Sequence, residues 1–472
     1  MNALAPFAPI LVLSVGSLGY LLGGRAIEAL RVSALYAVLL IALAVWFLLG
    51  LADTPAAAGY GIVVNAGTRI LGLVACIAGL VSIVATSSSI EGEKVVMVSE
   101  YYYLMLTSLC GALIMVFASD FLTLFIGVEV ASLALYCLCA ARVHERRSSE
   151  ASMKYFLLGC FSSGFLLYGI ALWYGATGSL SLAAGDTVAV NAPIVALSFL
   201  MILVGMAFKV GLAPFHFWVP DVYQGAPTSV TTFMSCVVKV AAVAALVRVI
   251  AVSFGFTELW TVGPLWIMSV LAMTVGNLAA LQQRSVKRML AYSSIAQAGY
   301  MMIGVVVAGS AAEALGATLY YLIAYCAMTI GAFSVLSAIG PDTDSIEDLK
   351  GLAKRSPFLA VCMVLFFLAL AGLPPSLAGL MGKVYLFSSA LSAGYLGLAI
   401  IAALNSALAC AYYFRVPVAI FSPSADISAE VKVPMQVVLA IATCAAAVVF
   451  FGLLPEGLLR LVREAAQSII MR

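Results

Sequence analysis

Charge is what this sequence has least of. Asp, Glu, Lys and Arg make up 9% of its 472 residues, against about 25% in an ordinary soluble domain. So few charges cannot cover a water-soluble globule of this length. Hydrophobic residues reach 64% and the mean hydropathy is +1.14, so the chain reads as a polytopic membrane protein. Its net charge is only +2, and no basic patch interleaved with aromatics offers a nucleic-acid footprint. Histidine is nearly absent. His144 and His216 are the only two, which argues against a bis-histidine haem inside the membrane. The ten cysteines include no CxxC pair, and Cys137-x-Cys139 has no histidine at ligand spacing. Cys76, Cys110, Cys160, Cys326 and Cys444 lie in apolar runs and read as small buried hydrophobes. Neither an iron–sulfur cluster nor a disulfide framework is supported, and there is no nucleotide-binding motif.

Long apolar runs are abundant. About twenty residues suffice to cross a core of ~30 Å, and about fourteen such runs follow one another. They lie near 5–24, 32–51, 68–88, 99–118, 120–140, 151–174, 193–216, 227–249, 259–281, 287–308, 313–338, 357–390, 394–420 and 433–454. The first has no basic n-region or convincing cleavage site and is expected to be retained. The last piece, EGLLRLVREAAQSIIMR, is amphipathic and is expected to lie along the interface. Basic residues fall mainly in the odd-numbered loops, at Arg25, Arg31, Lys94, Arg142, Arg146, Arg147, Arg284, Lys287, Arg288, Lys350, Lys354, Arg355, Arg415 and Lys432. The even loops hold Arg69 and Arg248, and the tail Arg460, Arg463 and Arg472. The positive-inside bias then puts the odd loops in the cytoplasm and both termini outside.

Four lysines remain within spans: Lys154, Lys209, Lys239 and Lys383. A lysine at the centre of a membrane helix costs about 2.5–3.5 kcal/mol on insertion scales. With a turn expected at about 219–227, helix rise puts Lys209 ~15 Å and Lys239 ~18 Å into their antiparallel spans, near the midplane. Glu129, nine residues after Asp120, also falls near mid-depth. Lys154 is shallowest and could simply snorkel. Lys383 follows Pro375 by eight residues. Desolvation and a nearby carboxylate push an amine in opposite directions, so a row of such groups can pass protons. Glu129 beside Lys154 would be one such pair. His216, just past Pro214, is a further candidate, with interfacial packing as the alternative. Tyr and Ser in KRMLAYSSIAQAGYMM could hold water on a proton path or could serve packing.

Two spans are interrupted by proline: Pro214 follows Lys209, with Pro220 expected to end the segment, and Pro374–Pro375 precedes Lys383. Proline removes a donor and breaks a helix. The two breaks lie five spans apart, an odd offset, so their chain directions are opposed. Interrupted segments at matching places in two halves point to an inverted-repeat transporter.

EASMKYFLLGCFSSGFLLYGIALWYGATGS, FKVGLAPFHFWVPDVYQGAPTSVTTFMSCVVKVAA and KRMLAYSSIAQAGYMMIG resemble subunit N of respiratory complex I, the proton-pumping NADH:quinone oxidoreductase. The resemblance covers about residues 99–420. It implies an all-α fold of fourteen helices with two inverted five-helix repeats, each with a broken helix. The expected organisation is three N-terminal spans (1–98), repeats at 99–252 and 253–420, and a last span with an interfacial tail (421–472). By the resemblance, Glu129 and Lys154 form the charged pair of the first half-channel, Lys209 is the broken-helix lysine, Lys239 the central one and Lys383 that of the exit half-channel. It also implies no cofactor in this chain, with NADH, FMN, iron–sulfur clusters and quinone handled by partner subunits. The implied partners are the antiporter-like subunit M and the small K- and J-type subunits, in a bacterial inner membrane. Subunits L and M and Mrp-type sodium/proton antiporters share the Lys-Pro-His-Trp-Pro-Asp pattern. They usually carry histidine where this chain has Ser235 and no lysine matching Lys239. PPSLAGLMGK departs from the family, with Leu380 for the usual Phe and one extra residue.

Overall fold

The computed structural model describes residues 2–470 except 24–29, 53–60, 88, 89, 91–94, 96, 188–192, 312, 341, 342, 424–430 and 432. Arg25, Lys94, Lys432 and Arg472, used above for orientation, lie outside the described residues. Among those described, the chain is helical apart from short turns and three isolated β-bridges. Three helices come first: α1 (Ala8–Leu22), α2 (Leu30–Gly50) and α3 (Ala66–Thr86). The next group is α4 (Val98–Phe117), α5 (Phe121–Cys139), α6 (Arg146–Thr177), α7 (Pro193–Val210), α8 (Trp218–Gly225) and α9 (Thr228–Phe254). Then come α10 (Leu259–Leu281), α11 (Val286–Val306), α12 (Ala314–Ile339), α13 (Pro357–Ala371), α14 (Leu377–Ser392) and α15 (Leu396–Phe421). The chain closes with α16 (Met435–Leu453) and α17 (Pro455–Ile470).

Thirteen of these helices are long and apolar enough to cross a membrane. α13 and α14 are each too short, and together they occupy the place of the twelfth expected span. This makes a multi-pass membrane protein. Position in the bundle follows from composition, because a helix apolar on all sides has to be covered on all sides or face lipid. The most apolar stretches of α9 and α11 are each 94% buried in protein, whereas those of α1, α2, α6 and α16 are 28–33% buried. α9 and α11 are therefore the inner helices, and Leu157, Phe161 and Leu167 of α6 face outward.

The two groups share construction details. Asp120 caps α5, accepting from Thr123 N at 2.8 Å, and pairs with Ser181 in a one-residue bridge. Ser285 caps α11, accepting from Arg288 N at 3.1 Å, and pairs likewise with Ser345. Such caps satisfy otherwise orphaned N–H groups. Gly111 of α4 lies against Ala131 N and Gly127 O of α5, and Gly276 of α10 against Ala296 N and Tyr292 O of α11. In both pairs the missing side chain lets two backbones approach closely.

Three expectations are corrected. Residues 219–227 were expected to be a turn, but α8 occupies most of them. Pro220 is its third residue, in the first turn, where no N–H is needed, so it does not end the segment. The eighth span was expected to stop at 249, but α9 runs on to Phe254 through a π-turn at Ile250–Phe254. Arg248, assigned to a loop, is consequently inside the helix and buried. α17 does lie as an amphipathic helix, folded onto α3 and α12. Val462, Ala465 and Ile469 are buried, Asn65 Nδ2 donates to Ser468 O at 2.8 Å, and Arg463 pairs with Glu313 at 2.8 Å.

Candidate functional site

The geometry of the site begins with the two breaks. α7 ends at Gly211 with φ +82° and α13 at Gly372 with φ +80°, a left-handed conformation that glycine adopts without strain. At the first, Gly211 N donates to Phe208 O at 3.1 Å and Leu212 N to Ala207 O at 2.9 Å. At the second, Gly372 N donates to Ala369 O at 3.0 Å and Leu373 N to Leu368 O at 2.9 Å. Both are Schellman closures, each followed by a cis prolyl bond, Ala213–Pro214 and Pro374–Pro375.

Lys209, Lys239 and Lys383 are 5%, 4% and 2% exposed, so each is enclosed by protein rather than by lipid. Lys209 donates to Ser132 Oγ of α5 at 2.6 Å and to Tyr155 OH of α6 at 3.4 Å, with its Nζ 5.6 Å from the Tyr155 ring centre. That ring stacks on Trp218 at 4.4 Å. Lys239 follows a π-turn at Met234–Val238. It donates to Ser294 Oγ and, at 2.9 Å, to Ser294 O of α11, and lies 5.1 Å from the Tyr325 ring. Lys383 donates to Ala371 O at 2.8 Å and Ser406 Oγ at 2.9 Å, and lies 5.0 Å from the Tyr300 ring. Each amine thus has a serine hydroxyl and a tyrosine face. A cation over an aromatic face gains about 0.5–2 kcal/mol, a partial return on desolvation.

Polar groups span most of the distance between the second and third lysines. Lys383 reaches Leu370 O at 3.5 Å, and Gln297 Nε2 donates to the same carbonyl at 3.0 Å and to Tyr413 OH at 3.0 Å. Tyr413 is hydrogen-bonded to Ser293, beside the Ser294 that holds Lys239. Gln297 also accepts from Tyr321, while Asn277 links Tyr300, Tyr412 and Asn405. In KRMLAYSSIAQAGYMM, then, Ser294, Gln297 and Tyr300 point at the lysines or their partners.

The expected pair of Glu129 with Lys154 does not form. Glu129 accepts from Ser163 of α6. Lys154 is 43% exposed and pairs with Asp221 at 2.7 Å and Glu150 at 2.8 Å. The reason is register: Ser163, the residue of α6 level with Glu129, lies nine residues beyond Lys154, or ~13 Å along the axis. α6 has 32 residues, ~48 Å of helix, longer than the ~30 Å apolar core. Its first turns can therefore emerge, taking Lys154 with them. Around Lys154 is a charged opening of about 190 Å³ lined by Arg147, Glu150, Asp221, Gln224 and Arg288. Arg288 Nη1 meets Asp221 Oδ1 at 2.7 Å, and Gln224 Nε2 donates to Asp344 at 2.8 Å. Partial burial works against the charge on Asp221, but the hydrogen bonds from Lys154 and Arg288 outweigh it and hold the carboxyl below its ordinary value.

His216 is buried and stacked on Phe217 at 4.9 Å. No hydrogen bond among the described residues joins it to a lysine, and its Nδ1 has no partner among them. Sequence reasoning missed Ser132, Tyr155, Tyr325 and Ser406. Ser132 was within reach, because it lies three residues after Glu129, on the same helix face. Asp221 and Arg288 carried no local signal of pairing. Among the described residues no group of three or more His, Cys, Asp or Glu could hold a metal ion.

A membrane bundle with two broken spans and buried lysines defines a class of ion-translocating subunits, and the comparisons agree. Residues 118–409 match the family described as NADH:quinone oxidoreductase/Mrp antiporter, TM. NADH-quinone oxidoreductase subunit N of Trichlorobacter lovleyi is 43% identical over 381 residues, covering 78% of this chain and 77% of the relative. A chain of respiratory complex I from Thermus thermophilus is 36% identical, with a TM-score of 0.83 over 96% of this chain and 98% of that one. A chain of the Mrp complex from Dietzia has a TM-score of 0.86 over 100% of this chain and 98% of that one; at 21% identity it shares the fold alone. The chain belongs to the NADH-quinone oxidoreductase subunit N family, whose members are subunits of a translocase complex.

Proposed function

We propose that this chain translocates protons through a buried relay of Glu129, Lys209, Lys239 and Lys383, coupled to quinone reduction in partner subunits. The observation that carries the reading is the enclosure of three lysines at 2–5% exposure, each on a serine hydroxyl and a tyrosine face. An amine held by neutral acceptors, as Lys239 and Lys383 are, has no fixed counter-charge. It can therefore change protonation without leaving an orphaned carboxylate behind. The chain of Ser294, Ser293, Tyr413, Gln297 and the Leu370 carbonyl supplies hydrogen-bonding groups between Lys239 and Lys383. A pocket of only about 10 Å³, lined by Lys209, Ser132, Ser163 and Gly205 among others, lies beside the first lysine. Lys154, in the charged opening with Asp221 and Arg288, serves at the mouth rather than as the partner of Glu129. His216 keeps only a secondary place.

The paired breaks, caps and glycine contacts support two five-helix repeats at 99–252 and 253–420, flanked by spans at 1–98 and a tail at 421–472. NADH, FMN, iron–sulfur clusters and quinone belong to partner subunits in this reading. The partners are the antiporter-like subunit M and the small K- and J-type subunits. The membrane is the bacterial inner membrane, with the N-terminus on the outer side, as the basic residues of the odd loops favour.

The test is Lys239→Ala in the assembled enzyme. Pumping and coupled NADH oxidation fall at least tenfold while assembly is retained; a fully assembled variant that pumps normally would remove the relay. The match to the family described as NADH:quinone oxidoreductase/Mrp antiporter supports a second reading, a sodium/proton antiporter subunit. Sodium-dependent transport by the isolated chain would support it.

A further inference from the structure

We propose that the depression between the ends of α10 and α15 and the turn at Ile346–Leu349 is a binding site for the phosphate of an anionic lipid headgroup. It has a volume of about 600 Å³ and is lined by Arg284, Glu347, Lys350, Arg415, Val418 and Ser422, among others. Three cations face one carboxylate there. That carboxylate is already engaged, since Glu347 pairs with Lys350. Neither Arg284 nor Arg415 has an ion pair among the described residues. The depression therefore holds an excess of positive charge that no side chain of its own neutralises.

The site is also built rather than merely solvated. Ile346 N donates to Arg284 O at 3.0 Å and Gly351 N to Ser422 O at 3.0 Å, stapling the turn to both helix ends. Arg415 Nη1 donates to Leu281 O at 3.0 Å and Gln283 O at 2.9 Å. This contact fixes the guanidinium and neutralises the carbonyl end of α10, whose dipole would otherwise repel an anion. The position is the headgroup level, because α10 ends, α11 begins and α15 ends around it, all apolar spans. Basic pockets between membrane helices at that level suit phosphate-bearing headgroups.

Free phosphate has the same charge chemistry, but the walls favour lipid. Phe414, Val418 and Phe421 of α15 are 45%, 64% and 66% exposed. They form an apolar face leading from the depression, and acyl chains need one whereas an inorganic ion does not.

The experiment uses the assembled complex, purified and delipidated in detergent. It is incubated with photoreactive phosphatidylglycerol or photoreactive phosphatidylcholine, and labelled peptides from α15 are quantified. Phosphatidylglycerol labels α15 in preference to phosphatidylcholine. Arg284→Gln and Lys350→Gln each weaken labelling about fivefold, and the double variant roughly thirtyfold, at about one charge contribution per residue. Arg284→Lys, which keeps the charge, retains most of the labelling. Equal labelling by the two lipids, or unchanged labelling in the double variant, overturns the proposal. Loss of the label to excess inorganic phosphate also overturns it and makes the depression a site for the free ion. The lipid comparison on the parent enzyme decides the question even if the double variant fails to assemble.

Discussion

The two broken spans have nearly the same backbone at the hinge but place their lysines differently. In each, a glycine at φ +80–82° closes the first half-helix and a cis proline follows. At the first break Lys209 precedes the glycine by two residues and reaches away, to Ser132 on α5. The carbonyl end of its own helix is served instead by Trp218, whose Nε1 donates to Phe208 O at 2.9 Å. At the second break Lys383 follows the glycine by eleven residues and folds back onto the carbonyl end of α13, at Ala371 O and Leu370 O. The same hinge therefore presents one amine to hydroxyls on neighbouring helices and the other to a hydroxyl and to backbone carbonyls of its own broken span. Where Gly111 and Gly276 contact equivalent atoms of α5 and α11, the position of Glu129 in the first group is that of Ser294 in the second. The acid of one half is replaced by the hydroxyl that holds Lys239.

The largest effect is expected where hinge and amine touch. A Cβ at Gly372 would lie 3.1 Å from Lys383 Cδ and 3.3 Å from its Nζ, while one at Gly211 would meet only Val219 Cγ2 at 3.1 Å. Gly372→Val combines backbone strain with overpacking, about 2–5 kcal/mol. It should sharply reduce the chain recovered in assembled complex; Gly211→Val should lose less. Equal losses would mean that only the backbone matters. Next in size is Lys383→Leu, which leaves the Ala371 carbonyl buried without that donor, at about 1–3 kcal/mol. Lys209→Leu should cost less, because Ser132 Oγ has its own acceptor in Val128 O. Thermal unfolding of the two variants checks the order. Ser294→Ala, at about 1 kcal/mol, should slow pumping several-fold yet keep Lys239 anchored, since the Ser294 carbonyl remains as an acceptor.

Much of this was legible in the sequence, and for identifiable reasons. Span count, the two breaks and the burial of Lys209, Lys239 and Lys383 follow from hydropathy, proline and helix rise, all local quantities. Missed were properties of register between helices. Whether Lys154 meets Glu129 or Asp221 depends on how far α6 overshoots the membrane and which turn of α5 it passes. Neither is written in any one segment. Arg248 was assigned to a loop because the span was expected to end beside it, whereas α9 runs on to Phe254. Tyr155 and Tyr325 are invisible as lysine partners until the bundle closes, since tyrosine in an apolar helix reads equally well as packing.

The smallest predicted effect concerns the charged mouth, where the contrast with the buried lysines is one of solvent. Lys154 and Asp221 make short contacts yet are partly exposed, and such pairs are worth about 0.2–1 kcal/mol. Asp221→Asn should therefore change thermal stability by under about 1 kcal/mol at neutral pH. The carboxyl is held below its ordinary value of 3.8, so its contribution is fully present above that value. It is lost as the pH falls through the folded-state value. The difference in Tm between parent and Asp221→Asn should accordingly be largest near neutrality and shrink toward zero in acid. A difference that persists undiminished in acid would mean that Asp221 acts through packing. The mouth would then resemble the enclosed lysines more closely than its exposure suggests.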